Sequence, residues 1–344
     1  MIDLDASKWQ DLVTSRGAKY HYYHSLAHPS KPTILLVHGF PSLGRDWRDL
    51  AFPLQASGYG IVVPDMFGYG GSDKPADPAQ YRVKLLCQDL IDILDVVGLE
   101  QVVAVGHDWG SAVVSRMASY FPERFLAFAY LAIPYIIPDP DLDFEKLVAM
   151  MTSILGYNPY GYWEFFNEDN AADVFAKHLE TYIAITYTKD QGQVFRRHVC
   201  PPGALKQALL DNFVPPAGIA PYMSAEDINI ITDTFRRDTL AGPLCYYKYE
   251  MRGMNRSDIA TIPPDRLLPP VTTPLFFAAG QGDVICPPKL GRLIFGSEPF
   301  KYHNVTIKEF NGDHWFNIEN AEEVARELVA WVARVVGSAR GEGM

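Results

Sequence analysis

One aspartate, flanked by glycines where an apolar run gives way to a helical pattern, narrows the folds open to this chain more than any other feature. The run Val102 to Val105 is continuous and apolar, as in a strand buried on both faces of a sheet. It closes in Gly106-His107-Asp108-Trp109-Gly110 and passes straight into the helical stretch Ser111 to Tyr120. Glycines two residues to either side of a central residue mark a nucleophile elbow, a strand-to-helix turn too tight for neighbouring side chains. The same five residues also read as an aspartate capping a helix. The rest of the chain decides between these readings.

Within residues 1–134, further short apolar runs at Thr33 to Val37, Ile61 to Val63 and Phe128 to Ile133 alternate with longer helical patterns. That alternation predicts strands joined by crossover helices in a mostly parallel central sheet, an α/β architecture. From Tyr135 to Leu268 the texture changes to long helical patterns, many aromatics and Pro-Pro punctuation, which predicts an inserted helical cap over 135–268. The strand-and-helix texture returns over 269–344, with strands at Pro274 to Gly280 and Val305 to Phe310 and a closing helix from about Ala321 to Val336. Beyond it, Gly337 to Met344 is small and polar and is expected to fray.

Composition removes several functions. The net charge of −11, with no basic patch, would repel a phosphate backbone, so nucleic acid is not an expected partner. No stretch is long and apolar enough for a membrane span, and the start, MIDLDASKWQDL, is too polar for a signal peptide. The four cysteines lack paired or metal-ligand spacing, which suits a reducing, cytoplasmic setting without disulfides. No metal-binding pattern occurs, and Phe67-Gly68-Tyr69-Gly70-Gly71-Ser72 lacks the third in-register glycine of a dinucleotide loop. No cofactor is expected, and the oligomeric state is left open.

A nucleophile on such an elbow is served by an acid and then a histidine, in that chain order. Asp283 follows the strand ending at Gly280, and His314 lies in Gly312-Asp313-His314-Trp315-Phe316 after the next strand. Asp139, after the preceding strand, is the alternative acid, and Asp313 is expected to point away from its neighbour's ring. In His38-Gly39-Phe40-Pro41, the Phe40 N–H can converge with that of Trp109 on an oxyanion. By these residues the chain resembles the α/β-hydrolase superfamily and, more narrowly, the soluble epoxide hydrolases, from about Gly17 to Val336.

That the elbow carries aspartate selects the reaction. A serine alkylated at saturated carbon would be left as an ether that water cannot cleave. A carboxylate is left as an ester, whose carbonyl a histidine-activated water can attack. An epoxide oxygen leaves as a strongly basic alkoxide and needs a proton donor. The resemblance implies that two cap tyrosines supply it. Of the segments Tyr160 to Glu168 and Gly242 to Tyr247, it selects Tyr162 and Tyr247, with Tyr160 and Tyr246 in reserve. The implied substrates are a small apolar epoxide and water. A haloalkane dehalogenase would use the same aspartate but solvate a halide with N–H donors, for which Trp109 is available. His107 before the aspartate instead matches epoxide hydrolases. A ligand-binding protein without catalysis is the third reading.

Overall fold

The computed structural model describes residues 3–341. Its strands are β1 (Trp9–Val13), β2 (Lys19–Ser25), β3 (Thr33–Val37), β4 (Gly60–Pro64), β5 (Val102–His107), β6 (Phe125–Leu131), β7 (Leu275–Gly280) and β8 (Val305–Phe310). They form one sheet in the order β1-β2-β4-β3-β5-β6-β7-β8. Only the β1/β2 and β2/β4 pairs are antiparallel. The others are parallel, as the alternating pattern predicts.

Every residue of β3, β4, β5 and β7 is buried, because helices such as Arg48–Ala56, Trp109–Tyr120 and Ala321–Gly341 pack against the sheet. Strands covered on both faces have no solvent side to mark with polar residues, hence their unbroken apolar runs. The β1/β2 hairpin obeys a different logic. No residue of β1 is buried, while β2 is anchored by the rings of Tyr20, Tyr22 and Tyr23. An aromatic strand interleaved with Lys19, His21 and His24 makes no apolar run, and the sequence reading names neither strand. The last helix continues past Val336 to Gly341, and Glu342 to Met344 of the expected tail lie outside the described residues.

Between β6 and β7 the chain forms helices from Phe144–Leu155 to Arg256–Ile259 and no sheet strand among the described residues. This segment lies on the loops at the carboxyl ends of the strands, where phenols from its helices and connections satisfy loop carbonyls. Tyr187 Oη donates to Pro41 O (3.0 Å), Tyr246 Oη to Phe67 O (3.0 Å) and Tyr157 Oη to Val284 O (2.6 Å). Asp227, at the start of helix Ala225–Asp238, ties to Arg45 and Arg48 of the core, each at 3.0 Å. No helix among the described residues is long and apolar enough to cross a membrane.

Candidate active site

Asp108 stands between β5 and helix Trp109–Tyr120 with φ 54° and ψ −124°, a conformation an L-residue adopts only when its surroundings enforce it. They do so by leaving no room. A Cβ on Gly110 would sit on the Val37 carbonyl, and one on Gly106 would strike the first turn of the helix at Gly110. Ser111 Oγ closes the turn by donating to Gly106 O (2.6 Å). The bare Gly39 lets the preceding loop close over the carboxylate, so that the Phe40 N–H donates to Asp108 Oδ1 at 2.9 Å. The Trp109 N–H is the first of its helix and has no carbonyl partner within it.

The loops after β7 and β8 bring in the acid and the histidine. Asp283 Oδ1 accepts the N–H groups of Ile285 and Cys286 (2.8 and 2.9 Å). Its Oδ2 accepts from His314 Nδ1 at 2.8 Å. On its other side, His314 Nε2 lies 3.6 Å from Asp108 Oδ2. Burial opposes the imidazolium, but Asp283 and Asp108 outweigh it and raise the His314 pKa to about 10. Burial likewise opposes the Asp108 charge, yet His314, His107 and the Phe40 N–H hold its pKa below the ordinary range. The resting site is therefore an imidazolium between two carboxylates. Asp139 is exposed and bonds only locally, accepting the Asp141 N–H. Asp313 Oδ1 accepts the Trp315 N–H (2.9 Å).

Asp108 and His314 open onto a cavity whose other walls include Phe40, Tyr162, Phe166, Tyr182, Ile285 and Tyr247. Tyr162 comes from helix Tyr162–Phe166 and Tyr247 from helix Cys245–Met251, with ring centroids 5.9 Å apart. Phe40 and Phe166 hold the Tyr247 ring edge-on at 5.1 and 4.7 Å. Burial, reinforced by the Asp108 charge among other groups, pushes both phenols far above their ordinary pKa, so each keeps its proton. Of the reserve tyrosines, Tyr246 spends its hydroxyl on Phe67 O, and Tyr160 packs against Trp163 outside the cavity wall. The Trp109 indole is enclosed by Trp163, Tyr246, Tyr247 and Tyr249.

Gln191 and Tyr182 escaped the sequence reading, which took His107 as a mark of the family and gave it no role in the site. Gln191, buried at the start of helix Gln191–His198, accepts the His314 N–H (3.2 Å) and donates to Thr186 O (2.8 Å), tying the histidine loop to the insertion. His107 donates from Nε2 to His314 O (2.9 Å), and burial lowers its pKa to about 4, leaving it neutral beside the imidazolium. Tyr182 adds a third phenol to the cavity. Asp283, Cys286 and His314 present donor atoms within 4.8 Å of one another, but the acid and histidine are already bonded to each other.

The sheet, the elbow and the loops that meet it are those of an α/β hydrolase, and a family model described as the alpha/beta hydrolase fold matches residues 32–198. Epoxide hydrolase 3 of Siraitia grosvenorii is 30% identical over 244 residues, covering 69% of this chain and 71% of that protein. Bifunctional epoxide hydrolase 2 of Mus musculus is 26% identical over 322 residues, 90% of this chain, which spans about half (53%) of the mouse protein's length. The structure of an epoxide hydrolase from an endophytic Streptomyces superposes with a TM-score of 0.77 at 26% identity, covering 96% of both chains. The chain belongs to the epoxide hydrolase family of the α/β-hydrolase superfamily.

Proposed function

We propose that the chain hydrolyses a small apolar epoxide to a vicinal diol through an ester on Asp108. The reading rests on one arrangement: a carboxylate on a strained elbow, facing a cavity that also holds two protonated phenols. In the first step Asp108 Oδ2 attacks a ring carbon, the carbon–oxygen bond breaks, and Tyr162 and Tyr247 hold the departing oxygen, one of them giving it a proton. Oδ1, already bonded to the Phe40 N–H, becomes the ester carbonyl oxygen.

Esterification also switches the base on. Once Asp108 is neutral, its charge no longer supports the imidazolium, the His314 pKa falls from about 10 toward what Asp283 alone sustains, and the imidazolium proton passes to the phenolate that the first step left behind. His314 then takes a proton from water, which attacks the ester carbonyl while the N–H groups of Phe40 and Trp109 stabilise the oxyanion. Collapse of that intermediate releases the diol and regenerates the carboxylate.

Support for an epoxide over a haloalkane comes from the donors at the cavity. A halide needs N–H groups, but the Trp315 indole is committed to Thr186 O (3.1 Å) and the Trp109 indole is packed among rings. The names of the relatives point the same way. We assign residues 135–268 as the cap and 1–134 with 269–344 as the core. The four buried, unpaired cysteines fit a reducing compartment such as the cytoplasm.

His314→Gln should stop the second step and accumulate a protein adduct heavier by the mass of the epoxide. A single turnover of the wild type in heavy-oxygen water should label the Asp108 carboxyl and leave the diol unlabelled. Label entering the diol directly, with none in Asp108, would overturn the scheme.

A further inference from the structure

Every residue that lines the cavity is buried, so a substrate there is enclosed instead of trailing into solvent. At about 50 Å³ the cavity has room for about four waters, hence for about as many heavy atoms of a ligand. Its polar groups are already engaged. Asp108, His314, Tyr162 and Tyr247 serve the oxirane in the scheme above. The Tyr182 hydroxyl is held by the Thr186 side chain, Thr186 Oγ donates to Tyr182 O (2.9 Å), and the Trp315 indole donates to Thr186 O (3.1 Å). What is left for the substituent of the oxirane is hydrocarbon: Ile185, Phe195, Val199, Leu205 and Ile285. Apart from Asp108 and His314 the wall carries no charged residue, so a carboxylate on that substituent would lose its water without gaining a counter-ion.

Three of these apolar residues come from one stretch of the insertion. Phe195 lies on helix Gln191–His198, Leu205 on helix Ala204–Leu210, and Val199 on the link between them. The two helices pack on each other, and the second also packs on helix Tyr162–Phe166, which carries the proton donor Tyr162. The link is seated by main chain. The Gly161 N–H donates to Cys200 O at 3.0 Å, and a Cβ on Gly161 would overlap that carbonyl and the nitrogen of Pro202. Val199 and Tyr162, next to the two bonded residues, are therefore held at a fixed separation, and the apolar wall cannot retreat from the proton donor without breaking a main-chain contact.

We propose that Phe195, Val199 and Leu205 form an end wall that sets substrate length, so that the enzyme takes short, uncharged alkyl epoxides whole and rejects longer ones. This deepens the epoxide hydrolase reading and rests on it. The three residues determine specificity and take no part in the proton transfers.

The test uses 1,2-epoxybutane, 1,2-epoxyhexane and 1,2-epoxyoctane. An open apolar groove would raise kcat/KM about fourfold for each methylene it buries. A closed end reverses that trend, and wild type should lose about tenfold or more from the butane to the octane oxide. Leu205→Ala removes most of one wall side chain and should raise the octane-to-butane ratio of kcat/KM about tenfold. Val199→Ala, a smaller cut, should raise the hexane-to-butane ratio in the same direction. Each reading is a ratio of two substrates on one protein, so it does not depend on how much of a variant folds, and Val199→Ala decides if Leu205→Ala yields no folded protein. A wild-type profile that climbs with chain length overturns the proposal, as do unchanged ratios in the variants. If wild type hydrolyses none of the three, the hydrolase reading fails separately, and calorimetric titration with the matching 1,2-diols still decides. Binding confined to the shorter diols in wild type and extended to the longer ones by Leu205→Ala supports the wall, while the same profile in both proteins, or no binding, overturns it.

Discussion

The core loops and the helical insertion line one cavity but hold their side chains by different means. Asp108, Asp283 and His314 sit at strand ends where backbone crowds backbone: a Cβ on Gly110 would meet the Val37 carbonyl, and one on Gly280 the Asp313 carbonyl. Their polar atoms are also engaged, Asp283 alone accepting two N–H groups and the imidazole. Tyr162, Tyr182 and Tyr247 come from three separate helices and are positioned by ring contacts such as Tyr247 with Phe166 at 4.7 Å. Charges are thus placed by the backbone, and hydroxyls by side-chain packing. Packing distributes position over many weak contacts, so the insertion should tolerate change that the core does not.

The largest effects should fall on the core. Asp108→Ala should lower kcat by ~10⁴-fold or more while the protein stays folded, because the proposed scheme makes Asp108 a covalent carrier, which has no substitute. Gly110→Ala should fail earlier, yielding little folded protein by circular dichroism, since the clash is with main chain. Next come the phenols: Tyr162→Phe or Tyr247→Phe alone should cost about 10- to 100-fold in kcat, and the pair together more than ~10³-fold, the range of positioned general acids. Either single variant being as dead as Asp108→Ala would break the distinction between the two regions.

A smaller change should follow from Gln191→Leu, which cuts the tie between His314 and the insertion. A fewfold loss of kcat/KM with retained ester formation is expected, and rapid-quench measurement of the two steps would check it. A diagnostic effect of another kind is in pH dependence. A His314 pKa raised from 6.5 to about 10 contributes stability that is fully present below pH 6.5 and is lost as pH rises toward 10. Urea midpoints should therefore fall across that window in wild type and fall less in Asp283→Asn. His107, depressed to about 4, changes stability only on the acid side of pH 6.5 and does not confuse the comparison. Asp108→Asn, which imitates the neutral ester, should lower the His314 pKa measured by NMR.

The parallel strands were legible because two-sided burial writes itself as unbroken apolar runs, and Asp108 because a turn that excludes Cβ atoms demands glycines at fixed offsets. Asp283 and His314 followed from chain order after successive strands. The β1/β2 hairpin left no such mark, since its anchoring groups are phenol rings alternating with polar residues. Gln191 was invisible for another reason: its partner, His314, lies 123 residues away.

The tyrosines show where local pattern stops. With 19 in the chain, residue identity cannot separate a phenol that braces a loop, as Tyr246 does on Phe67, from its neighbour Tyr247, which lines one cavity with Asp108. Short-range sterics and periodic burial are properties of neighbouring residues, so the order of residues suffices to specify the sheet, the elbow and the loops that bear acid and histidine. Which hydroxyls turn into the cavity depends on how helices distant in sequence pack over those loops, and such long-range contacts exist only once the chain has folded.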